Sequence, residues 1–136
     1  MQADVHPSRV VSYDCDGNPD GVSLQVDAML AAGPGAATAI MAWNDGLGRE
    51  IVRSLAARGR SVPGDHSVVS VDDHRHAVSE TPFLSTFRQS PFDLGRQAVE
   101  ILVNRVQDPS LADVILRVPS EFISRESVAA PPHHLH

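Results

Sequence analysis

The sequence predicts an α/β fold, a doubly wound parallel sheet with helices on both faces. Three observations predict it. Apolar residues alternate between short β-rich runs and stretches of helical spacing, in the order strand, helix, strand, helix, strand, which is the pattern of a parallel sheet with crossover helices. The central runs, AIMA at 39–42 and SVVSV at 67–71, are largely apolar, as expected of strands covered on both sides. Both then stop on polar side chains, Asn44-Asp45 and Asp72-Asp73.

The elements follow in order. Residues 9–13, RVVSY, are a β-rich run closed by a turn that contains Gly17, Asn18 and Pro19. Val22, Val26, Met29 and Leu30 recur at helical spacing and predict a helix over 19–32, with Asn18 or Asp20 as its cap and Gly33-Pro34 as its end. Residues 38–43 form the next strand. A helix follows with Leu47, Ile51, Val52, Leu55 and Ala56 on one face, Asp45 as its expected N-cap and Gly59 as its stop. After a turn at 62–65 comes a strand over 66–71, then a polar loop to Pro82 and a short strand over 84–87. Phe92, Leu94, Ala98, Ile101, Leu102 and Val106 define a third helix, broken by Asp108-Pro109-Ser110. Residues 114–118 and 121–124 read as strands, and 128–136 as a tail.

Composition excludes several function classes. At 136 residues the chain suits one domain. Its net charge is −6, and its eleven basic residues, all arginine, form no block. Such a surface repels phosphate backbones, so the chain is not expected to bind nucleic acid by itself. No apolar run approaches the roughly 20 residues of a membrane span, and the first residues do not read as a signal peptide. With its single cysteine, Cys15, the chain reads as cytoplasmic and free of internal disulfides. No nucleophile-and-base pattern is present, so no enzyme is expected. Asp73, His74 and His76 lie close in sequence but lack the ligand spacing of a zinc site. Neither a metal nor a cofactor is expected.

The polar strand ends carry the functional expectation. Ligands of open α/β sheets sit outside the carboxyl ends of the strands. Carboxylates there accept hydrogen bonds and an amide both donates and accepts, a combination suited to a small, polar, uncharged molecule. The structural alternative for each residue is a cap or a turn, since Asn and Asp are common at both.

Five stretches agree in order and spacing with one family: TAIMAWND (38–45), RGRSVPGDHSVVSVDD (58–73), TPFLSTFRQ (81–89), LGRQAV (94–99) and SRES (124–127). Together they resemble the C-terminal half of the effector-binding domain of LacI/GalR-family transcriptional regulators. The resemblance implies a type I periplasmic-binding-protein-like fold of two lobes, here a single partial domain over 1–136 with most of the N-terminal lobe missing. It implies that 1–86 and 119–127 belong to the C-terminal lobe. The helix and strand within 87–118 would belong to the other lobe, with 128–136 left as the tail.

The same resemblance implies a sensor of a sugar or nucleoside effector. It places Asn44, Asp72 and Gln89 at effector-contacting positions. It also places Asp16, in the turn where the family often carries a stacking aromatic; this sequence has none there. Pro91 takes a second aromatic place, with Phe92 adjacent. Leu47, Gly48, Ile51 and Leu55 match a dimerisation element, so a homodimer is expected, although the same residues suit a helix that simply faces its own sheet. DNA would be bound only through a helix-turn-helix that this sequence does not contain. The alternatives are a periplasmic-type sugar-binding protein and a stand-alone dimerisation module. Finally, the apolar stripe of the third helix is expected to fold back on its own sheet, swap into a partner or dock in a dimer, since exposed apolar area is costly.

Overall fold

The computed structural model describes residues 10–14, 17–33, 37–73 and 83–130. Helix α1, Pro19–Leu30, begins where Asn18 Oδ1 accepts a hydrogen bond from Gly21 N at 2.7 Å and Pro19 supplies the first-turn φ. It buries Val22, Val26 and Met29, one face at helical spacing. Strand β1 is Ala39–Met41 and helix α2 is Asp45–Ala56. Gly59, at φ +67°, closes the turn after α2 in the left-handed region that glycine enters without strain. Strands β2, Ser67–Asp72, and β3, Ser85–Arg88, precede helix α3, Pro91–Gln107, and strand β4, Glu121–Ile123.

The sheet has the order β1-β2-β3-β4. β1, β2 and β3 are parallel. β4 is antiparallel to β3, with Arg88 opposite Glu121 and Thr86 opposite Ile123. The chain leaves the sheet at the C-terminal end of β3 and re-enters at that same end, so β4 must run backwards. The cross-strand pair Phe87 and Phe122, with ring centroids 5.1 Å apart, holds this register.

Core packing follows from α1 and α2 lying together over one face. Val22, Val26, Met29, Ala42, Ile51, Leu55, Val68 and Leu84 form the buried cluster. Gly48 sets how closely α2 approaches the sheet. A Cβ at that position would lie 3.0 Å from Leu84 Cδ1 and 3.2 Å from Ser70 Cβ. Arg58 ties the two helices together. Its guanidinium meets both carboxylate oxygens of Asp27 and also donates to the hydroxyls of Ser54 and Ser23, at 2.8 and 2.7 Å. The hydrogen bonds from Arg58 hold the Asp27 carboxyl below the usual range. On the opposite face of the sheet Met41 and Phe122 are exposed. Among the described residues α1 and α2 pack on one face of this mostly parallel sheet, in the expected α/β arrangement.

Other expectations need correction. Residues 10–14 form no strand and are exposed, and 112–120 contain no strand either, with Ile115 89% exposed. Both segments carry β-forming side chains, but a strand exists only where a neighbour pairs with it, and among the described residues neither has one. α3 buries no residue: Ile101 is half-buried and Leu102 is 62% exposed. Its apolar stripe therefore does not fold back on this sheet.

Candidate functional site

The carboxyl ends of β1, β2 and β3 form one edge of the sheet. Three of the four residues expected at the site follow those ends: Asn44 after β1, Asp72 at the end of β2 and Gln89 after β3. Neighbouring strands lie roughly 4.8 Å apart, so the rim spans roughly 10 Å from β1 to β3. Asp16 lies outside the described residues, as do Cys15, His74 and His76.

The N-cap of α2 is Asn44 and not Asp45, the cap read from sequence. Asn44 has extended φ −151° and ψ 169°, and its Oδ1 accepts a hydrogen bond from Leu47 N at 2.8 Å. What it can offer a ligand is its Nδ2 donor. Asp45 is the first helical residue and is buried. Its Oδ1 accepts from Ser70 Oγ at 2.6 Å and from Thr86 Oγ1 at 3.0 Å. It thereby joins the start of α2 to β2 and β3, and the helix N-terminus favours its negative charge.

Asp72 is half-buried, sits opposite Arg88 across the β2–β3 ladder and has φ +108°. Asp73 follows at φ +55°. Two successive non-glycine residues in the left-handed half of φ space represent stored backbone strain, which concentrates at functional edges. Gln89 is exposed and opens onto a recess of about 270 Å³ with Ser90, Leu94, Val118, Pro119 and Ser120 in its wall. Asn44 and Asp72 do not line that recess. The three residues thus share an edge of the sheet, and one of them faces the recess.

Sequence reasoning missed the ion network behind the rim. Asp73 Oδ2 accepts from Arg88 Nε at 2.7 Å and Oδ1 accepts from Arg125 at 2.7 Å. Arg125 also donates to Leu84 O at 2.8 Å, and its backbone N–H donates to Ser85 Oγ at 2.9 Å. Burial pushes the Asp73 carboxyl up, but the hydrogen bonds and charges of Arg125 and Arg88 outweigh it and hold the group below its ordinary value. Nearby, Ser127 Oγ accepts from Ser85 N at 2.8 Å and donates to Val68 O at 2.6 Å. The SRES stretch therefore pins the returning chain to β2 and β3. Its residues were in view, but a separation of 52 positions between Asp73 and Arg125 gives no local pairing signal.

The expected dimer element also resolves differently. Gly48, Ile51 and Leu55 are buried within the chain's own core, and Leu47 is half-buried against it. Their spacing serves intramolecular packing, which removes them from a surface that a second chain could meet without rearrangement. Among the described residues, no group of three or more His, Cys, Asp or Glu could hold a metal ion. No helix among them is long and apolar enough to cross a membrane.

Residues 2–128 match the periplasmic binding protein-like domain family. The HTH-type transcriptional repressor PurR of Haemophilus influenzae (strain PittEE) is 38% identical over 94 residues, 67% of this chain and 28% of that protein. Among solved structures, a LacI family transcriptional regulator from Enterococcus faecium with bound ribose is 29% identical with a TM-score of 0.65. That match covers 82% of this chain and 41% of that one. The transcriptional regulator CelR in complex with cellobiose is 28% identical with a TM-score of 0.74, covering 90% of this chain and 37% of that one. The chain spans little more than a quarter of the length of the curated relatives it matches. It belongs to the periplasmic-binding-protein-like domain family, in the form that LacI-family regulators carry as their effector-binding domain.

Proposed function

We propose that this chain is the C-terminal, ligand-sensing part of a cytoplasmic LacI-type regulator, not an enzyme. In this reading it holds a small uncharged effector of the sugar or nucleoside class at the rim formed by Asn44, Asp72 and Gln89, with Asp16 contributing from outside the described residues. One observation carries the reading. Three adjacent parallel strands deliver an amide, a carboxylate and a second amide to the same sheet edge, in a domain similar to regulators solved with ribose and cellobiose. Asp72 would accept hydrogen bonds from ligand hydroxyls, while Asn44 Nδ2 and Gln89 would donate.

The lobe division expected from the resemblance is part of the same proposal. The chain leaves the sheet at Gln89, after β3, so a ligand at the rim would touch the point where it departs. Binding that favours one lobe arrangement would shift the equilibrium between arrangements, and only by its difference in affinity for the two. DNA contact would come from a helix-turn-helix elsewhere. A homodimer would use surfaces other than the inward face of α2, which the core already occupies.

Calorimetric titration with D-ribose, cellobiose, adenosine and guanine tests the site. This chain alone supplies one wall of the cleft, so at least one compound should bind with Kd weaker than about 1 µM, corresponding to less than about 8 kcal/mol of binding free energy. Asp72→Asn should weaken that binding about tenfold or more, since hydrogen bonds to charged groups contribute about 1.5–3 kcal/mol. Equal affinity in wild type and Asp72→Asn would remove Asp72 from the site. Sub-micromolar binding to this chain would contradict the one-wall reading.

A further inference from the structure

We infer that Asp73 is a positioning residue, whose clamp by Arg88 and Arg125 fixes the ligand rim and couples it to the returning strand β4. The inference rests on the proposed ligand site and adds a residue that does not itself face the ligand. Its geometry is specific. The two Asp73 oxygens are divided between two arginines, Oδ2 to Arg88 and Oδ1 to Arg125, each at 2.7 Å. Arg88 stands immediately before Gln89 and opposite Asp72 in the ladder. Arg125 lies just beyond β4 and is anchored on the start of β3 through Leu84 O and Ser85 Oγ. Arg88 also reaches Glu121 Oε2, the first residue of β4, at 3.5 Å. One carboxylate thus gathers the ends of β2 and β3 and the segment that returns from α3.

The backbone gives the clamp a task. Asp72 and Asp73 occupy φ +108° and +55°, a path that costs free energy for non-glycine residues and persists only when the surroundings over-determine it. The Asp73 side chain is 9% exposed and its two partners are 17% and 49% exposed, so the pair with Arg125 is the better shielded. With the carboxylate held, the preceding peptide cannot relax, and the Asp72 side chain keeps its direction. Releasing it frees Asp72 and Arg88-Gln89 together. A ligand that tightens the rim is then felt at β4 through the same carboxylate.

Two variants of the full chain test this. In Asp73→Asn, ¹⁵N relaxation dispersion should show exchange at Asp72 and Gln89 together, while the amides of Leu55 and Val68 in the core stay as in wild type. Asp73→Gly accepts the positive φ without strain, so it should fold normally yet show the same exchange. For whichever of D-ribose or adenosine binds the wild type, affinity should fall about three- to hundredfold in both variants, the range of coupling within one hydrogen-bonded network. Exchange confined to residue 73, or an affinity unchanged in Asp73→Gly, would overturn the inference and leave Asp73 a purely structural ion pair. If neither compound binds the wild type, the proposed site fails for these ligands, and the exchange at Asp72 and Gln89 still decides whether the clamp exists.

Discussion

Leu55→Ala is expected to destabilise the fold by about 2–5 kcal/mol, the range for leucine truncation in a packed core. Leu55 is 0% exposed and belongs to the cluster that joins α1, α2 and the sheet. Among the described residues eight make up that cluster, so a cavity there touches a large share of it. Total stabilities of domains run at about 5–15 kcal/mol, which makes such a loss a large share of the whole. Urea unfolding followed by circular dichroism measures it as a lower midpoint with an unchanged slope. A loss below about 1 kcal/mol would mean that α2 is not packed on the sheet in the way described.

Asp45→Ala is expected to be nearly as costly, for an electrostatic reason. Ser70 Oγ and Thr86 Oγ1 both donate to Asp45 Oδ1, and both residues are 0% exposed. Alanine leaves two buried hydroxyls without this acceptor, at about 1–3 kcal/mol each. Asp45→Asn keeps an acceptor oxygen at the same place, so it should retain much of what alanine loses. Unfolding of the two variants side by side checks the assignment. If they are equally stable, Asp45 is not the buried acceptor that joins α2 to β2 and β3.

Both predictions concern residues whose roles the sequence displays only in part. α1 and α2 were legible because their signals are local: a capping residue, a first-turn proline in α1, a stripe at helical spacing and a closing glycine after α2. The parallel core was legible because β1 and β2 are apolar runs separated by a helix. Pairing is not local, and here the reading failed. Val10 to Tyr13 and Val114 to Val118 have strand-like composition without a strand, and the direction of β4 depends on where α3 delivers the chain.

The site was legible at the level of position and less so at the level of role. Asn44 and Asp72 were read as lying at strand ends and do so, and Gln89, given by the resemblance, follows β3. A one-residue offset separates a cap from a buried acceptor, and spacing cannot resolve Asn44 from Asp45 at that scale. Gly48, Ile51 and Leu55 show the same limit, since a stripe that packs on its own sheet is spelled like one that packs on a partner. Asp73 and Arg125 lie inside the 58–73 and 124–127 stretches, yet their meeting is a product of the fold alone.

These findings assign distinct tasks along a single edge. Asp45 joins the start of α2 to β2 and β3, Asp73 with its two arginines is proposed to steady the rim, and Asn44, Asp72 and Gln89 are proposed to meet the ligand there. The last of these assignments is the central claim. Chemical-shift mapping tests it most directly: D-ribose or adenosine is titrated into the ¹⁵N-labelled chain and every amide and side-chain NH₂ is followed. Saturable shifts are expected at Asp72, at the side-chain amides of Asn44 and Gln89, and at their immediate neighbours, with α1 silent. Saturable shifts centred on α1 or the outer surface of α2, with the strand ends unmoved, would contradict it.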